Sequence, residues 1–358
     1  MKALSYEARM AEKARILREK GHARILAVES SCDETAIAIV EDGRVERANA
    51  IASQIDVHAL YGGVVPEIAS RMHVEAIDPL LERALAEANC TLEDVDAVAV
   101  TYGPGLIGAL LVGVNFAKSV AYGLGVPLIP VHHVRGHISA NYIAHPELEP
   151  PFVCLCVSGG TTLIVDVRDY TEMEILGATR DDAAGECFDK VARVLGIGYP
   201  GGAPMDRLSR TGDAGRYAFP RVQVHDAPLD MSFSGLKTAA INLIHNARQK
   251  EEALDLPSLA ASFSAAVSDM LVPRVMEAAR RCGRRKVAVA GGVAANSRIR
   301  ADLEAACAAA GCRLYLPPLS LCGDNGAMIG CQAYYEYLAG HTADMALNAY
   351  ANRDIAKG

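Results

Sequence analysis

The run His132-His133-Val134-Arg135-Gly136-His137 places His133 and His137 four positions apart. On a helix these two imidazoles share one face, and that spacing suits a first-row divalent metal. No Glu stands between them, so the HExxH pattern that carries a protease base inside the motif is absent. A carboxylate has to come from elsewhere. Asp324, in Leu321-Cys322-Gly323-Asp324-Asn325-Gly326 at a turn before a helix, is the candidate third ligand. Two histidines and one carboxylate leave coordination positions open for a substrate.

Two further turns carry groups suited to phosphate. Glu29-Ser30-Ser31-Cys32-Asp33-Glu34-Thr35 follows an apolar run and is rich in hydroxyls and carboxylates. Hydroxyls and backbone N–H groups in such a turn can hold phosphate oxygens, and its carboxylates can hold a cation or accept a proton. The plain alternative is a polar surface hairpin. Val157-Ser158-Gly159-Gly160-Thr161-Thr162 is a second such turn, with glycines that let backbone approach a ligand closely. Paired, the two turns would clamp phosphates.

Three more runs could wall a nucleotide. Asp182, Glu186, Asp189 and Lys190 fall three or four apart, which also fits a capped helix start with i,i+4 ion pairs. Tyr199-Pro200-Gly201-Gly202-Ala203-Pro204-Met205-Asp206 offers a rigid loop with bare backbone. In Gly291-Gly292-Val293-Ala294-Ala295-Asn296-Ser297 a strand ends, two glycines turn and a helix begins. A flat nucleoside can lie there, with Asn296 bonding sugar or base; packing glycines at a tight turn are the alternative.

The elements that must position these groups follow from periodicity. Ile25–Val28 and Thr35–Val40 read as strands, with Asp42-Gly43 as a hairpin signal before a third strand through Val45. A helix is expected over about 66–87, a strand over 96–102, and an apolar helix over about 106–123. The pattern then restarts with strands at 152–160 and TTLIVDV, a strand-turn-helix unit at 286–296, and a last helix over about 325–338. Ser30 and Ser158 stand 128 residues apart in equivalent turns. The expectation is a duplicated α/β protein of two lobes with a central cleft. Its parts would be an extension over 1–23, lobe I over 24–130 plus about 326–345, lobe II over 131–325, and a tail over 346–358.

Composition narrows the class. The chain has 358 residues, 51% hydrophobic and 22% charged, which excludes a disordered chain. A net charge of −8 excludes a uniformly basic nucleic-acid coat while leaving room for a local patch. No GxxxxGK[ST] loop occurs, and no dinucleotide fingerprint is read after a strand. The 10 cysteines include no CxxC pair and read as reduced thiols of a cytosolic protein, with Cys154 and Cys156 on opposite sides of a strand. No run of membrane-spanning length is read, and the first residues are not a secretory signal. Met10 is itself a plausible start, so residues 1–9 need not belong to the native product.

Taken together these runs resemble one family, the bacterial-type tRNA N6-adenosine threonylcarbamoyltransferases. The matching stretches are ESSCDETA, GGVVPEIASRMHVE, GPGLIGAL, HHVRGH, VSGGT, DDAAGECFDK, YPGGAPMD, SFSGLKTA, GGVAANSRIR and CGDNGAM, in family order over about residues 25–335. The resemblance implies the duplicated actin-like, sugar-kinase-like ATPase fold. It implies metal ligands at His133, His137 and Asp324. It also implies an adenylate or nucleotide site from Cys156, Val157, Ser158, Gly159 and Gly160 with Asp189, Gly202, Asp206 and Asn296. Thr161 departs from the His or Asn often found there, which removes an imidazole from that position.

The implied reaction starts from L-threonylcarbamoyl-adenylate, made by a separate synthase. The threonylcarbamoyl group passes to N6 of adenosine 37, next to the anticodon, in tRNAs reading codons that begin with A, and AMP leaves. Asp33, in the first turn, is the candidate base for the attacking nitrogen. One Fe2+ or Zn2+ per subunit and ATP with Mg2+ are the implied cofactors. The implied partners are tRNA, a degenerate paralogous subunit and a small P-loop ATPase, in the cytoplasm and without a membrane. Two alternatives are an ATPase or sugar kinase of the same fold and a metalloprotease built on HHVRGH, the latter lacking its Glu; a non-enzymatic scaffold fits the polar loops poorly.

Overall fold

Ile25, Leu26, Ala27 and Val28 leave no polar face, so the strand they form has to lie inside a sheet covered on both sides. In the computed structural model, which describes residues 6–357, they form β1 (Arg24–Glu29) at the centre of a five-stranded sheet. β2 (Glu34–Glu41) pairs antiparallel with β1 and with β3 (Val45–Ser53). β4 (Ala97–Gly103) pairs parallel with β1 and with β5 (Leu128–His132). Asp42 and Gly43 both take positive φ, 52° and 70°, as the tight hairpin between β2 and β3 requires. Helices α1 (Tyr6–Lys20), α2 (Ile55–Ala59), α3 (Pro66–Glu87), α4 (Ile107–Leu124) and α5 (His133–Ala144) complete this stretch.

The second half repeats the plan. β6 (Phe152–Val157), β7 (Thr162–Val167), β8 (Met173–Ala178), β9 (Lys286–Ala290) and β10 (Arg313–Tyr315) lie in the order β8-β7-β6-β9-β10, matching β3-β2-β1-β4-β5. Strands that begin at Arg24, Glu34 and Val45 are answered by strands that begin at Phe152, Thr162 and Met173, a constant offset of 128 residues. Both pairings of second with third strand carry a register shift, at Ile39/Val40 and at Ile164/Val165. The duplication expected from the sequence is therefore present in topology and in detail. Helices α6 (Ala184–Leu195), α7 (Gly202–Ser209), α8 (Ser234–Gln249), α9 (Leu256–Arg281) and α10 (Ser297–Ala310) belong to this half.

α11 (Gly326–Leu338) returns to the first sheet. Strand alternation sorts the two faces. Leu26, Val28, Ile37 and Ile39 bury against α3 and α4, at about 1.5–3 kcal/mol for each large side chain. Ala27, Ala38 and Val40 face α11, and Gly326 comes so close that a Cβ there would stand 2.7 Å from Ala38 N. Small residues on that face let the helix sit low on β1 and β2.

The chain divides into two units: Met1–Glu149 with Asp169–Glu172 and Gly323–Gly358, and Pro150–Arg168 with Met173–Cys322. The sequence-based partition began the second lobe at residue 131. Residues 131–149 belong with the first unit instead, because β5 pairs with β4 and α5 packs on α11. α1 and the described C-terminal residues also belong to this unit. Met10 and Ala14 of α1 are buried, Tyr6 Oη donates to Val126 O at 3.0 Å, and Tyr337 Oη donates to Ala14 O at 3.0 Å.

Three other sequence readings need correction. Cys154 and Cys156 lie two apart in β6, so alternation puts them on the same face, with sulfurs 3.8 Å apart; all the cysteines are free. Gly103-Pro104-Gly105-Leu106-Ile107-Gly108 does have GxGxxG spacing between β4 and α4, contrary to the expectation that no such fingerprint follows a strand. Its glycines face the chain's own atoms: a Cβ would meet Tyr350 O at 2.4 Å from Gly103, Ser31 O at 2.5 Å from Gly105 and Ser70 Oγ at 2.5 Å from Gly108. That leaves no bare backbone for a dinucleotide. Finally, α4 and α9 do reach spanning length and apolarity, with mean hydropathy of 1.4 and 1.2 over their most apolar windows. The α9 window is 78% buried, and α4 packs on β4 and α3, so both read as layers of the α/β fold.

Candidate functional site

β5 runs directly into α5, which starts at His133. His132 caps the helix, its Nδ1 accepting from Val134 N at 3.2 Å. One turn on, His137 faces the same side as His133, with ring centroids 4.6 Å apart at 80°. Asp324 stands in the turn before α11. Asn325 shapes that turn, donating from Nδ2 to Gly323 O at 2.9 Å and capping Met328 N at 2.9 Å. Asp324 Oδ1 lies 3.1 Å from His137 Nε2 and 3.6 Å from His133 Nε2. The three sequence-predicted ligands thus converge, one ligand atom from each within 4.8 Å of the others.

The residues present fit a metal ion. Both ring nitrogens of His137 are buried without a hydrogen bond, the 3.1 Å approach to Asp324 being poorly aligned for one. An orphaned buried imidazole costs free energy unless something else takes its lone pair. His133 is tuned from behind. Its Nδ1 stands 3.1 Å from Glu29 Oε2 and 3.1 Å from Ser31 Oγ, which leaves Nε2 aimed at Asp324. Glu29 is fully buried and is also held by Ser31 N at 2.5 Å and Thr101 Oγ1 at 2.6 Å. A carboxylate behind a ligating imidazole fixes its tautomer and raises its basicity. Burial works against charge on both partners, but His133 outweighs it and keeps Glu29 below the usual carboxylate range. Burial likewise opposes ionisation of Asp324, which His133 and His137 nevertheless hold down at about 2.

This assigns the first turn a different role from the phosphate clamp. Ser30 Oγ donates to Ala109 O at 3.0 Å and Ser31 Oγ is engaged with His133. Its hydroxyls are committed to packing and to orienting a ligand. Glu29, expected from sequence only as one of the turn's carboxylates that could hold a cation or accept a proton, stands instead behind a candidate ligand. The available signal was a carboxylate ending an otherwise apolar central strand. Asp33 lies at the end of the same turn, nearly buried, where its backbone carbonyl accepts from Gln54 N at 2.9 Å. Glu34 beside it is pushed above the usual carboxylate range by burial, then by the Asp324 and Asp33 charges.

The remaining predicted residues gather in the second unit at the C-terminal ends of β6 and β9. The Ser158–Thr161 turn closes on itself, Ser158 N donating to Thr161 O at 2.8 Å and Thr161 N to Ser158 Oγ at 3.1 Å. The first N–H groups of α6 are spent on this turn, Gly185 N on Ser158 O and Glu186 N on Gly159 O. Cys156 and Val157 are buried in β6 and support the turn without facing it. Asp189 Oδ1 accepts from Gly201 N at 2.7 Å, and Asp206 Oδ1 accepts from Ser297 N at 2.8 Å. Asn296 Oδ1 caps Arg298 N and Ile299 N at 3.1 Å. Asp189, Asp206 and Asn296 are therefore braces of the loops. The open faces are backbone: a Cβ on Gly159, Gly160, Gly202 or Gly292 would meet nothing within 4 Å.

Asp181 and Asp182 precede α6 and tie down the SFSGLKTA run. Asp181 Oδ1 accepts from Phe233 N at 2.7 Å and Ser234 N at 3.1 Å. Asp182 accepts from Lys190 at 2.8 Å, Ser234 Oγ at 2.9 Å and Lys237. Burial would raise the Asp182 carboxyl, but these partners hold it down at about 2. A depressed folded pKa stabilises above the unfolded value of about 4 and is lost as pH falls toward 2. Asp182→Asn is expected to cost about 2 kcal/mol at neutral pH, with the gap to the unaltered chain constant above about pH 5 and narrowing below about pH 4. Urea titrations across that range check it; a gap independent of pH would mean that the charge of Asp182 contributes nothing.

A family model described as tRNA N6-adenosine threonylcarbamoyltransferase matches residues 46–331. A protein of that name from Moorella thermoacetica is 57% identical over 325 residues, covering 91% of this chain and 95% of its own. One from Clostridium botulinum is 52% identical over 333 residues, covering 93% and 98%. Among solved structures, HypF of T. kodakarensis aligns with a TM-score of 0.60 at 16% identity, over 88% of this chain and 48% of its own. The (R)-2-hydroxyglutaryl-CoA dehydratase component A of Acidaminococcus fermentans aligns with a TM-score of 0.52 at 17% identity, over 89% and 98%. These two likenesses bear on the fold alone, which is the duplicated actin-like ATPase fold.

Proposed function

Because the chain belongs to the family of tRNA N6-adenosine threonylcarbamoyltransferases, transferases that modify tRNA, we propose that it moves the threonylcarbamoyl group of L-threonylcarbamoyl-adenylate onto N6 of adenosine 37. The tRNAs are those reading codons that begin with A, and AMP is released. The observation that carries this reading is the His133–His137–Asp324 cluster with Glu29 behind it, in a chain that also offers open glycine backbone at Gly159, Gly160, Gly202 and Gly292.

An Fe2+ or Zn2+ ion held by His133, His137 and Asp324 would supply Lewis-acid polarisation or a hold on a phosphate oxygen. Glu29 and Ser31 orient His133, so that its Nε2 is the free nitrogen. The glycine-bearing turn Cys156–Gly160 with Gly202 would accept the adenylate, since no side chain shields their backbone, while Asp189, Asp206 and Asn296 hold those loops in place. Thr161 closes the turn through its main chain, which supports a structural role for this residue in place of an imidazole. Asp33 would take the proton from the attacking exocyclic nitrogen. Asp33→Asn is then expected to slow single-turnover transfer by about 10²–10⁴-fold while adenylate affinity stays unchanged; an Asn variant at full rate would remove Asp33 from that role.

tRNA, a separate threonylcarbamoyl-adenylate synthase, a degenerate paralogous subunit and a small P-loop ATPase using ATP with Mg2+ complete the proposed system, in the cytoplasm. Nucleoside analysis of tRNA tests it, after incubation with synthase, threonine, bicarbonate, ATP and the candidate partners. N6-threonylcarbamoyladenosine should appear only when this chain is present. ATP turnover by the pure chain with no modified nucleoside would favour an ATPase or sugar kinase instead.

A further inference from the structure

The C-terminal segment is held along the first unit by its main chain. Ala343 N donates to Leu128 O at 2.8 Å, Tyr350 N to Tyr102 O at 2.8 Å, and Gly105 N to Ala351 O at 3.2 Å. It crosses the ends of β4 and β5, the strands that lead to the GPGLIG turn and to α5. Tyr350 packs edge-on against Tyr102, and the Arg353 guanidinium lies 5.1 Å from the Tyr350 ring centre and 5.7 Å from that of Tyr102. The segment then meets α5 itself. His132 Nε2 lies 3.1 Å from Arg353 O, and Arg135 Nε and Nη2 donate to Ile355 O at 2.9 and 2.7 Å.

These contacts sort the HHVRGH run into two sets. His133 and His137 turn to Asp324, while His132 and Arg135 turn to the tail. His132 accepts from Val134 N through Nδ1, so Nε2 carries the hydrogen that the Arg353 carbonyl takes. Arg135 is buried, and its remaining arm, Nη1, donates to Glu336 Oε1 at 2.8 Å on α11. Glu336 is braced in turn by Gln332 Nε2 at 2.7 Å and His341 Nδ1 at 2.6 Å. One arginine thus joins the tail, the helix that carries His133 and His137, and the helix whose entry turn carries Asp324.

We propose that the C-terminal segment 343–357 is a strap that positions the metal ligands, acting through His132 and Arg135 as positioning residues. The inference rests on the reading of His133, His137 and Asp324 as a metal site. Ligand groups that must converge to within a few tenths of an ångström need support behind them, and loss of such support costs about 10–100-fold in metal affinity. The strap supplies that support from a part of the chain that provides no ligand.

The test titrates the full-length protein with Co2+ alone, reading affinity and the visible absorption of the bound ion. His132→Asn keeps a side-chain acceptor for Val134 N, and so keeps the helix cap, but is too short to reach Arg353 O. Arg353→Ala loosens the strap from its exposed side without touching α5. Both should bind Co2+ about tenfold more weakly, with an altered band, and with melting temperatures close to the parent. His132→Gln, which restores a donor at the Nε2 position, should recover much of the affinity. Unchanged affinity and spectrum in both His132→Asn and Arg353→Ala, with the parent binding one ion, overturns the strap and leaves the metal site standing. A parent chain that binds no ion overturns both.

Discussion

His137→Ala should leave the chain folded, bring its divalent metal content from one ion to near zero, and lower transfer by about 10²–10³-fold or more. His137 is the right ligand to remove because the one ion-pair contact it makes among the described residues is with Asp324. Its ring nitrogens make no hydrogen bond, so truncation frees no buried partner except Asp324, which keeps His133. His133→Ala is a worse experiment. It would leave Glu29, a fully buried carboxylate, without the imidazole it is paired with, at a cost of about 3–5 kcal/mol. Loss of activity there would confuse misfolding with missing chemistry. Elemental analysis of the purified His137→Ala protein, a thermal melt and tRNA nucleoside analysis separate the two. An alanine variant that keeps a full complement of metal would remove His137 from the ligand set.

The second large effect contrasts two glycines. At Gly185 a Cβ would stand 2.4 Å from Ser158 O and 2.8 Å from Gly159 Cα, both backbone atoms that cannot swing aside. Gly185→Ala should therefore cost about 1–3 kcal/mol and distort the Ser158–Thr161 turn. At Gly202, the first residue of α7, a Cβ meets nothing within 4 Å. Gly202→Ala should hold or raise stability by up to about 1 kcal/mol through helix propensity. Its methyl group would occupy the open face, so affinity for a non-reactive adenylate analogue should fall about tenfold, equivalent to about 1.4 kcal/mol. Calorimetric titration and melting of the two variants check this. Should Gly202→Ala bind the analogue as the parent does, the Gly202 face is not part of the cradle.

Much of this was legible in the sequence because it is local. The hairpins follow from apolar runs and Asp42-Gly43, and their repeat at 128 residues needs only a ruler. HHVRGH places two imidazoles by helical spacing alone. Asp324 was harder, being distant in sequence, and it was found because its turn precedes a helix and a carboxylate was required. What stayed hidden depends on pairings between distant residues. Nothing in Glu29 or Ser31 says that they will stand behind His133. The division at residue 131 failed because the parallel pairing of β5 with β4 outweighs nearness to the next strand. Asp206 and Asn296 look like ligand contacts in sequence, yet in the folded chain they also cap the helix at Ser297. The tail was illegible for a plainer reason: it is held largely through main-chain groups, which every residue carries.

The first unit is discontinuous, and that has a consequence for a chain made from its N-terminus on a ribosome. His133 and His137 emerge before the second unit, Pro150–Arg168 with Met173–Cys322, and Asp324 follows only after that unit has been synthesised. The second unit's main segment can fold as soon as it clears the exit tunnel, whereas the first must wait for α11 and the C-terminal residues. The nascent chain thus carries a histidine pair that lacks its carboxylate for about half of its synthesis. On the proposed metal reading, the ion is acquired only after Asp324 has been made, and the pool of ion available from that point decides what the site holds.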